Sequence, residues 1–454
     1  MNLKTLSATA LLLSAVACSQ EQASQTQEAS GRVADAAQAE GQQIQERLDP
    51  AVPVGPPPTA QELEQERFNQ EWRRLGSFQV SQPSPTPVAP QMTPAQMTPV
   101  PIAASPTPAA PAQDIAFVQD PRFGEKMAGT NPAVIDTMPV RVPVKGDVNG
   151  PTVLKAQILL DRARFSPGFI DGRWGKNSEI AVYWFQRENG LPPTGEIDEG
   201  TYRALAAAGG NQPALLPYVL TAEDVKGPFT PIPEDVYDQE KLKCLCYETL
   251  TEALAERFHT SAGLLQTLNP GMKMDTAAAG QQIMVPNVRQ AITQDTPAAL
   301  SKLVVSVKGS YIHAVDMSGR TVFHAPTTLG SKYDPSPNET VKIVGIAHNP
   351  HFHYQPKLFH EVPDTNPEAN LQPGPNSPVG VVWVALSKKH FGIHGTAHPE
   401  SIGYSSSHGC VRLSNWDAND LSRQVQKGLT VEFVDTRAET AEGTPATAAS
   451  TPTR

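Results

Sequence analysis

Cys410 stands between Gly409 and Val411, His408 lies two residues before it, and His394 closes the apolar run Phe391-Gly392-Ile393. These residue types point to nucleophilic chemistry. The thiolate is the nucleophile, and a free Cys is mostly protonated at neutral pH. A nearby imidazole can supply the base that makes it anionic. Gly409 lets the backbone turn tightly and approach a substrate closely. Main-chain N–H groups around such a turn can face a developing oxyanion. A buried, inert Cys with two unrelated histidines is the alternative, and the crowding of two His and two Gly into one stretch argues against it. Ten of the eleven histidines fall between 313 and 408, so zinc is also worth weighing. His351 and His353 with Cys410 would be the set. His348, His351, His353 and His360 read better as solvated or packed on aromatics, and no metal or other cofactor is expected.

Several elements must position these groups. Runs at 303–307, 311–315, 320–325, 341–346 and 381–386 are rich in β-branched and aromatic residues and separated by turn residues, which predicts short strands. Many short strands imply an all-β core, a sandwich or partial barrel. A Pro-, Asn- and His-rich loop at 348–378 interrupts them, and exposed loops commonly carry function. Upstream, 153–160 and 178–189 have helical spacing; the second is apolar at Ile180, Ala181, Trp184 and Phe185 and would be capped by Asn177 or Ser178. A third short helix runs from 198 to 206. Residues 250–258 and 261–268 predict two more helices, ended by Asn269-Pro270-Gly271, and 280–287 a closing strand. Cys244 and Cys246 would face one side of a strand. The core is the first reading for them, a disulfide the second, and metal binding remains open.

The totals bound the rest. With 44 prolines and 39% hydrophobic residues in 454, long stretches cannot bury a core. Residues 18–140 read as an extended Pro/Ala/Gln-rich tether and 436–454 as a disordered tail. The net charge of −10 argues against nucleic acid as a partner. Residues 1–17, with Lys4 before a short apolar run, read as a signal peptide.

Ile393-His394-Gly395-Thr396 followed by Ser407-His408-Gly409-Cys410-Val411-Arg412-Leu413 resembles the paired signature of the YkuD-type L,D-transpeptidase catalytic domain. The stretch from Pro373 to Gly380 and Asn415-Trp416-Asp417 fit the same family, so the resemblance spans about 300–435. It implies Cys410 as nucleophile and His394 as proton acceptor and donor, oriented by a main-chain carbonyl near Gly395. His408 would lie beside the thiol, and Gly395, Thr396, Ser407 and Gly409 would shape the cleft. Arg412 would hold a substrate carboxylate or form a structural ion pair. The 348–378 loop would be a lid. The implied reaction is acylation of Cys410 by a peptidoglycan tetrapeptide stem with release of D-Ala, then transfer to an amine, giving 3–3 cross-links. Penem-type β-lactams would acylate the same thiol. A murein-stem hydrolase or carboxypeptidase of the same fold, or a non-catalytic wall-anchoring lipoprotein, would be the alternatives.

Residues 141–209 resemble the three-helix peptidoglycan-binding domain, through Ile170-Asp171-Gly172-Arg173-Trp174-Gly175 and Ala181-Val182-Tyr183-Trp184-Phe185-Gln186. Residues 241–288 resemble a βααβ LysM module, with Cys244-Leu245-Cys246-Tyr247 in place of its usual first turn. Ser14 to Cys18 resembles a bacterial lipobox, which implies lipidation of Cys18, a membrane anchor and, from Ser19, the outer membrane. The fold class expected is multi-domain α+β, with a mainly-β catalytic domain last. Peptidoglycan is the expected partner and the cell envelope or periplasm the expected location.

Overall fold

The computed structural model describes residues 78–79, 115–332, 334–358 and 362–435, all within one compact unit, 64–454. The expected signal peptide, Cys18, most of the tether, His360 and the tail lie outside the described residues.

The first described element is a short strand, β1 (Phe78–Gln79). Next, β2 (Phe117–Gln119) pairs in parallel with β3 (Val140–Val142). This corrects the tether's expected end at 140. Glu125 accepts from Thr152 N–H at 2.6 Å, and Ile135 is fully buried. Phe123 and Ile135 each fill a gap in a neighbouring core rather than building their own, so they leave no periodic signal. Three helices follow: α1 (Pro151–Arg162), α2 (Lys176–Glu188) and α3 (Glu199–Ala208). Proline at the first position of α1 is pre-set for helix. Asp198 caps α3 by accepting from Thr201 N–H at 2.7 Å. The cap expected at Asn177 or Ser178 does not form. Gly175 precedes α2, and Asn177 spends its amide on the Ile402 carbonyl at 2.8 Å. Trp174, Trp184 and Phe185 are buried, so these aromatics form core.

The second module opens earlier than expected. β4 (Leu215–Val219) pairs antiparallel with β5 (Gln282–Pro286), closing a βααβ unit around α5 (Leu250–Arg257) and α6 (Ala262–Leu268). Pro217 disguises the first strand, since proline is confined to edge strands. Between β4 and α5 lies an insertion holding α4 (Val236–Gln239) and a Cys244–Cys246 disulfide. The disulfide overturns the core reading placed first. Both cysteines are half-buried; Leu245 between them is the buried residue. Its N–H donates to the Pro373 carbonyl at 3.1 Å, and its carbonyl accepts from Asn376 N–H at 3.0 Å.

The expected β-rich core is one mixed sheet of eight strands. In chain order the strands from 300 to 434 are β6 (Leu300–Ser306), β7 (Tyr311–Asp316), β8 (Thr321–Pro326), β9 (Leu329–Gly330), β10 (Thr340–His348), β11 (Phe352–Tyr354), β12 (Ala369–Leu371), β13 (Val382–Leu386), β14 (Gly392–His394), β15 (Ser406–Ser407), β16 (Val411–Arg412) and β17 (Thr430–Val434). The sheet runs β16-β14-β13-β10-β17-β6-β7-β8, while β11 and β12 of the 348–378 stretch make a small sheet with β1. Helix α7 (Asn415–Gln424) buries Ala418 and Leu421 in the sheet's core. Edge strand β8 is covered: Ser166 N–H donates to the His324 carbonyl and His324 N–H to the Arg164 carbonyl, both at 2.9 Å. Such a cover blocks pairing with another chain.

Buried charge joins the modules. Arg289 meets Asp161 of α1, and donates to Asp417 at 2.6 Å and Asp420 at 2.8 Å, both on α7. His259, after α5, lies 2.9 Å from Asp161, and Ser166 donates to Asp417 at 2.9 Å. The Arg289 guanidinium brings the Asp161 carboxyl down to about 2 despite the opposing push of burial.

Candidate active site

Parallel pairing of β14 with β16 builds the site. Ile393 is in register with Val411, and His394 with Arg412, which delivers His394 beside the Cys410 turn. Antiparallel pairing on the other side sets Trp383 opposite His394, and the two rings stack with centroids 5.5 Å apart. A cavity of about 120 Å³ is lined by Leu358, His390, Phe391, His394, Ser407, His408, Cys410 and Arg412.

The turn carrying Cys410 is fixed by its neighbours. Gly409 has φ +102°, and a Cβ there would fall 2.6 Å from the Phe391 ring. Glycine is therefore required twice over, by dihedral and by space. Ser407 Oγ donates to the Cys410 carbonyl at 2.6 Å and accepts from Gly409 N–H at 3.2 Å. Ser336 Oγ donates to the Gly409 carbonyl at 2.9 Å. The Gly409 N–H is thus engaged within the turn.

Cys410 is 8% exposed, and its Sγ donates to the His390 carbonyl at 3.7 Å. His394 Nδ1 donates to the Gly395 carbonyl at 2.7 Å, which leaves Nε2 as the acceptor nitrogen. Burial pushes the thiol up to about 11, against the Gly392 N–H and the Arg412 charge. Burial, and then Arg412, bring the imidazole down to about 3, against the Gly395 carbonyl. The resting pair is therefore a neutral thiol beside a neutral imidazole. Burial also lowers Arg412 to about 10, which keeps it cationic at neutral pH.

Of the residues singled out in the sequence, Cys410, His394, His408, Ser407 and Arg412 line the cavity. Gly395, Thr396 and Gly409 lie in the backbone frame behind it. Thr396 N–H donates to Asn415 Oδ1 at 3.1 Å. His390, Phe391 and Leu358 were not foreseen as lining. Their sequence signals are indirect: Phe391 opens the apolar run that His394 closes, His390 precedes it, and Leu358 falls in the 348–378 loop expected as a lid. His353 lies 2.9 Å from Glu368 and is not among the residues lining the cavity, and among the described residues no three His, Cys, Asp or Glu side chains are grouped to hold a metal.

Comparison with known proteins agrees with this architecture. The family described as “L,D-transpeptidase catalytic domain” matches residues 301–434, and that described as “Putative peptidoglycan binding domain” matches 149–205. The Bacillus licheniformis protein named “Putative L,D-transpeptidase YkuD” is 32% identical over 186 residues, which is 41% of this chain and 93% of that one. The Bacillus subtilis protein of the same name is 28% identical, over 40% of this chain and 92% of that one. A crystal structure of L,D-transpeptidase 3 from Mycobacterium tuberculosis with a faropenem-derived adduct covers 35% of this chain and 75% of that one, at 15% identity and a TM-score of 0.25, too slight a likeness to add to the fold. On the extent of its match to the B. licheniformis protein, the chain belongs to the L,D-transpeptidase family.

Proposed function

We propose that this chain is a cysteine-dependent L,D-transpeptidase that acts on peptidoglycan stem peptides. The observation that carries the reading is the placement of Cys410 and His394 in one cavity, with His394 Nδ1 tied to a carbonyl and Nε2 left to accept a proton. In the first step Cys410 Sγ bonds to the carbonyl carbon of the diamino acid in a tetrapeptide stem. The thiol proton passes to His394 Nε2 and then to the departing amine as the C–N bond to D-Ala breaks. A thioester remains. An amine from another stem then attacks it, giving its proton to His394, and the C–S bond breaks with the thiol reprotonated. The product is a 3–3 cross-link. Because the resting pair is neutral, the proton moves during attack rather than before it. Arg412, cationic on the cavity wall, is suited to a substrate carboxylate.

Residues 149–205 and the βααβ unit would hold the enzyme on the wall, the second as a LysM-like glycan binder. Cys18 would carry the lipid that fixes it to the outer membrane, in the cell envelope. The test is incubation of the full chain with purified stem-peptide fragments and product analysis by mass spectrometry. Cross-linked dimers with released D-Ala are expected. Shortened monomers without dimers would make it a hydrolase, and unchanged substrate would leave only a wall-binding role.

A further inference from the structure

A chain of hydrogen bonds enters the active site from outside the catalytic domain. It begins at Glu256, on α5 of the βααβ module. Glu256 Oε2 accepts from Asn415 Nδ2 at 2.9 Å, and Oε1 accepts from the Tyr247 hydroxyl at 2.7 Å. Asn415 opens α7 and is 2% exposed. Its Nδ2 also donates to the Pro375 carbonyl at 3.1 Å. Its Oδ1 accepts from the N–H groups of Thr396 at 3.1 Å and Val381 at 3.2 Å. Gly395 permits this approach, since a Cβ there would fall 2.1 Å from Asn415 Oδ1.

Thr396 N–H and Gly395 C=O belong to one planar peptide unit, so fixing the first aims the second. The second is the acceptor for His394 Nδ1 at 2.7 Å. An asparagine amide can sit either way round, and only its neighbours decide which. Were it reversed, Nδ2 would confront two N–H donors, and the 395–396 peptide would lose its anchor. Burial pushes the Glu256 carboxyl up to about 7, and an oxygen that carries no proton can only accept in either state. Glu256 Oε2, together with the Pro375 carbonyl, therefore selects the sense in which Oδ1 faces the peptide.

We propose that Glu256 is a positioning residue for His394, acting through the Asn415 amide and the 395–396 peptide plane. The accessory module thereby completes the active site as well as flanking it. This rests on reading Cys410 and His394 as nucleophile and base.

The test is the rate at which iodoacetamide alkylates Cys410 in the full chain near neutral pH, which needs no knowledge of the natural substrate. His394→Ala slows alkylation if the base reading holds. Glu256→Ala then slows it roughly tenfold or more, the scale on which a small misplacement acts. Glu256→Gln, which keeps an acceptor for Asn415, restores the rate to within about threefold. The double variant Glu256→Ala/His394→Ala is no slower than His394→Ala alone, because the two act as a unit. Should Glu256→Ala fail to fold, Glu256→Met keeps the volume without the acceptor. A folded Glu256 variant with the wild-type rate, or with the same loss when His394 is absent, overturns the proposal. An unchanged rate in His394→Ala removes the base reading and the proposal with it.

Discussion

At the scale of single residues, the site depends on how burial treats two ionisable groups. With the thiol raised to about 11 and the imidazole lowered to about 3, neither is charged in the resting enzyme. The ultraviolet thiolate signal, taken as wild type minus Cys410→Ser, is therefore expected to rise near pH 11. A thiolate signal already complete at neutral pH would show a resting ion pair instead. Gly409→Ala is expected to abolish turnover and cost about 1–3 kcal/mol in denaturant unfolding, because the new Cβ meets the Phe391 ring in a left-handed backbone. Full activity in that variant would mean the turn has freedom that its contacts do not suggest. That Cys410 and His394 would share a cavity was legible in the sequence because glycines and histidines crowd one stretch. Their neutrality was not, since it comes from packing by Trp383 and Phe391 rather than from local spacing.

Among elements, the decisive one is the parallel pairing of β14 and β16, which brings His394 to the residue pair following Cys410. Both strands are too short to show an alternation, so neither pairing nor direction could be read from the sequence. The helices were legible because their apolar faces repeat, as in Ile180, Ala181 and Trp184 of α2. Their caps were less so: Asn177 resembles a cap in the sequence but serves the Ile402 carbonyl. The Cys244–Cys246 ring spans a sequence separation of 2, so its closure removes little chain entropy. Its use is local, in holding Leu245 against the base of the 348–378 stretch. Helix α7 depends on Ser414, which accepts from Asp417 N–H at 3.2 Å and donates to its carboxylate at 2.8 Å. Ser414→Ala is expected to cost about 1–2 kcal/mol in denaturant unfolding. A cost near zero would show that Arg289 and Ser166 fix Asp417 without it.

Across the whole molecule, three modules share one buried charge cluster, an arrangement that no local pattern announces because its members come from distant positions. Arg289→Ala leaves Asp161, Asp417 and Asp420 buried without their cation. A loss of about 3–5 kcal/mol is expected by denaturant unfolding, and a loss under about 1 kcal/mol would contradict the account. Between about pH 7 and 5 acid acts elsewhere. Burial lowers His324 to about 3 and His313 well below its ordinary range, while in the unfolded chain both return to it. The unfolded state then binds protons that the native state refuses. The stability these groups contribute is full above about pH 6.5 and declines as pH falls, by on the order of 1 kcal/mol per unit for each group. Glu256, raised to about 7 by burial, works the other way over the same range, so the check is a comparison: from about pH 7 to 5 the thermal stability of His324→Leu should fall less than that of wild type, and equal slopes would contradict it. The central claim remains the transfer of an acyl group to one sulfur. Its most direct measurement is the intact mass of the protein after brief exposure to a tetrapeptide stem, followed by peptide mapping. The account predicts one adduct, lacking D-Ala and located on Cys410, with none in Cys410→Ala. An adduct on another side chain, or product formed by the Cys410→Ala variant, would contradict it.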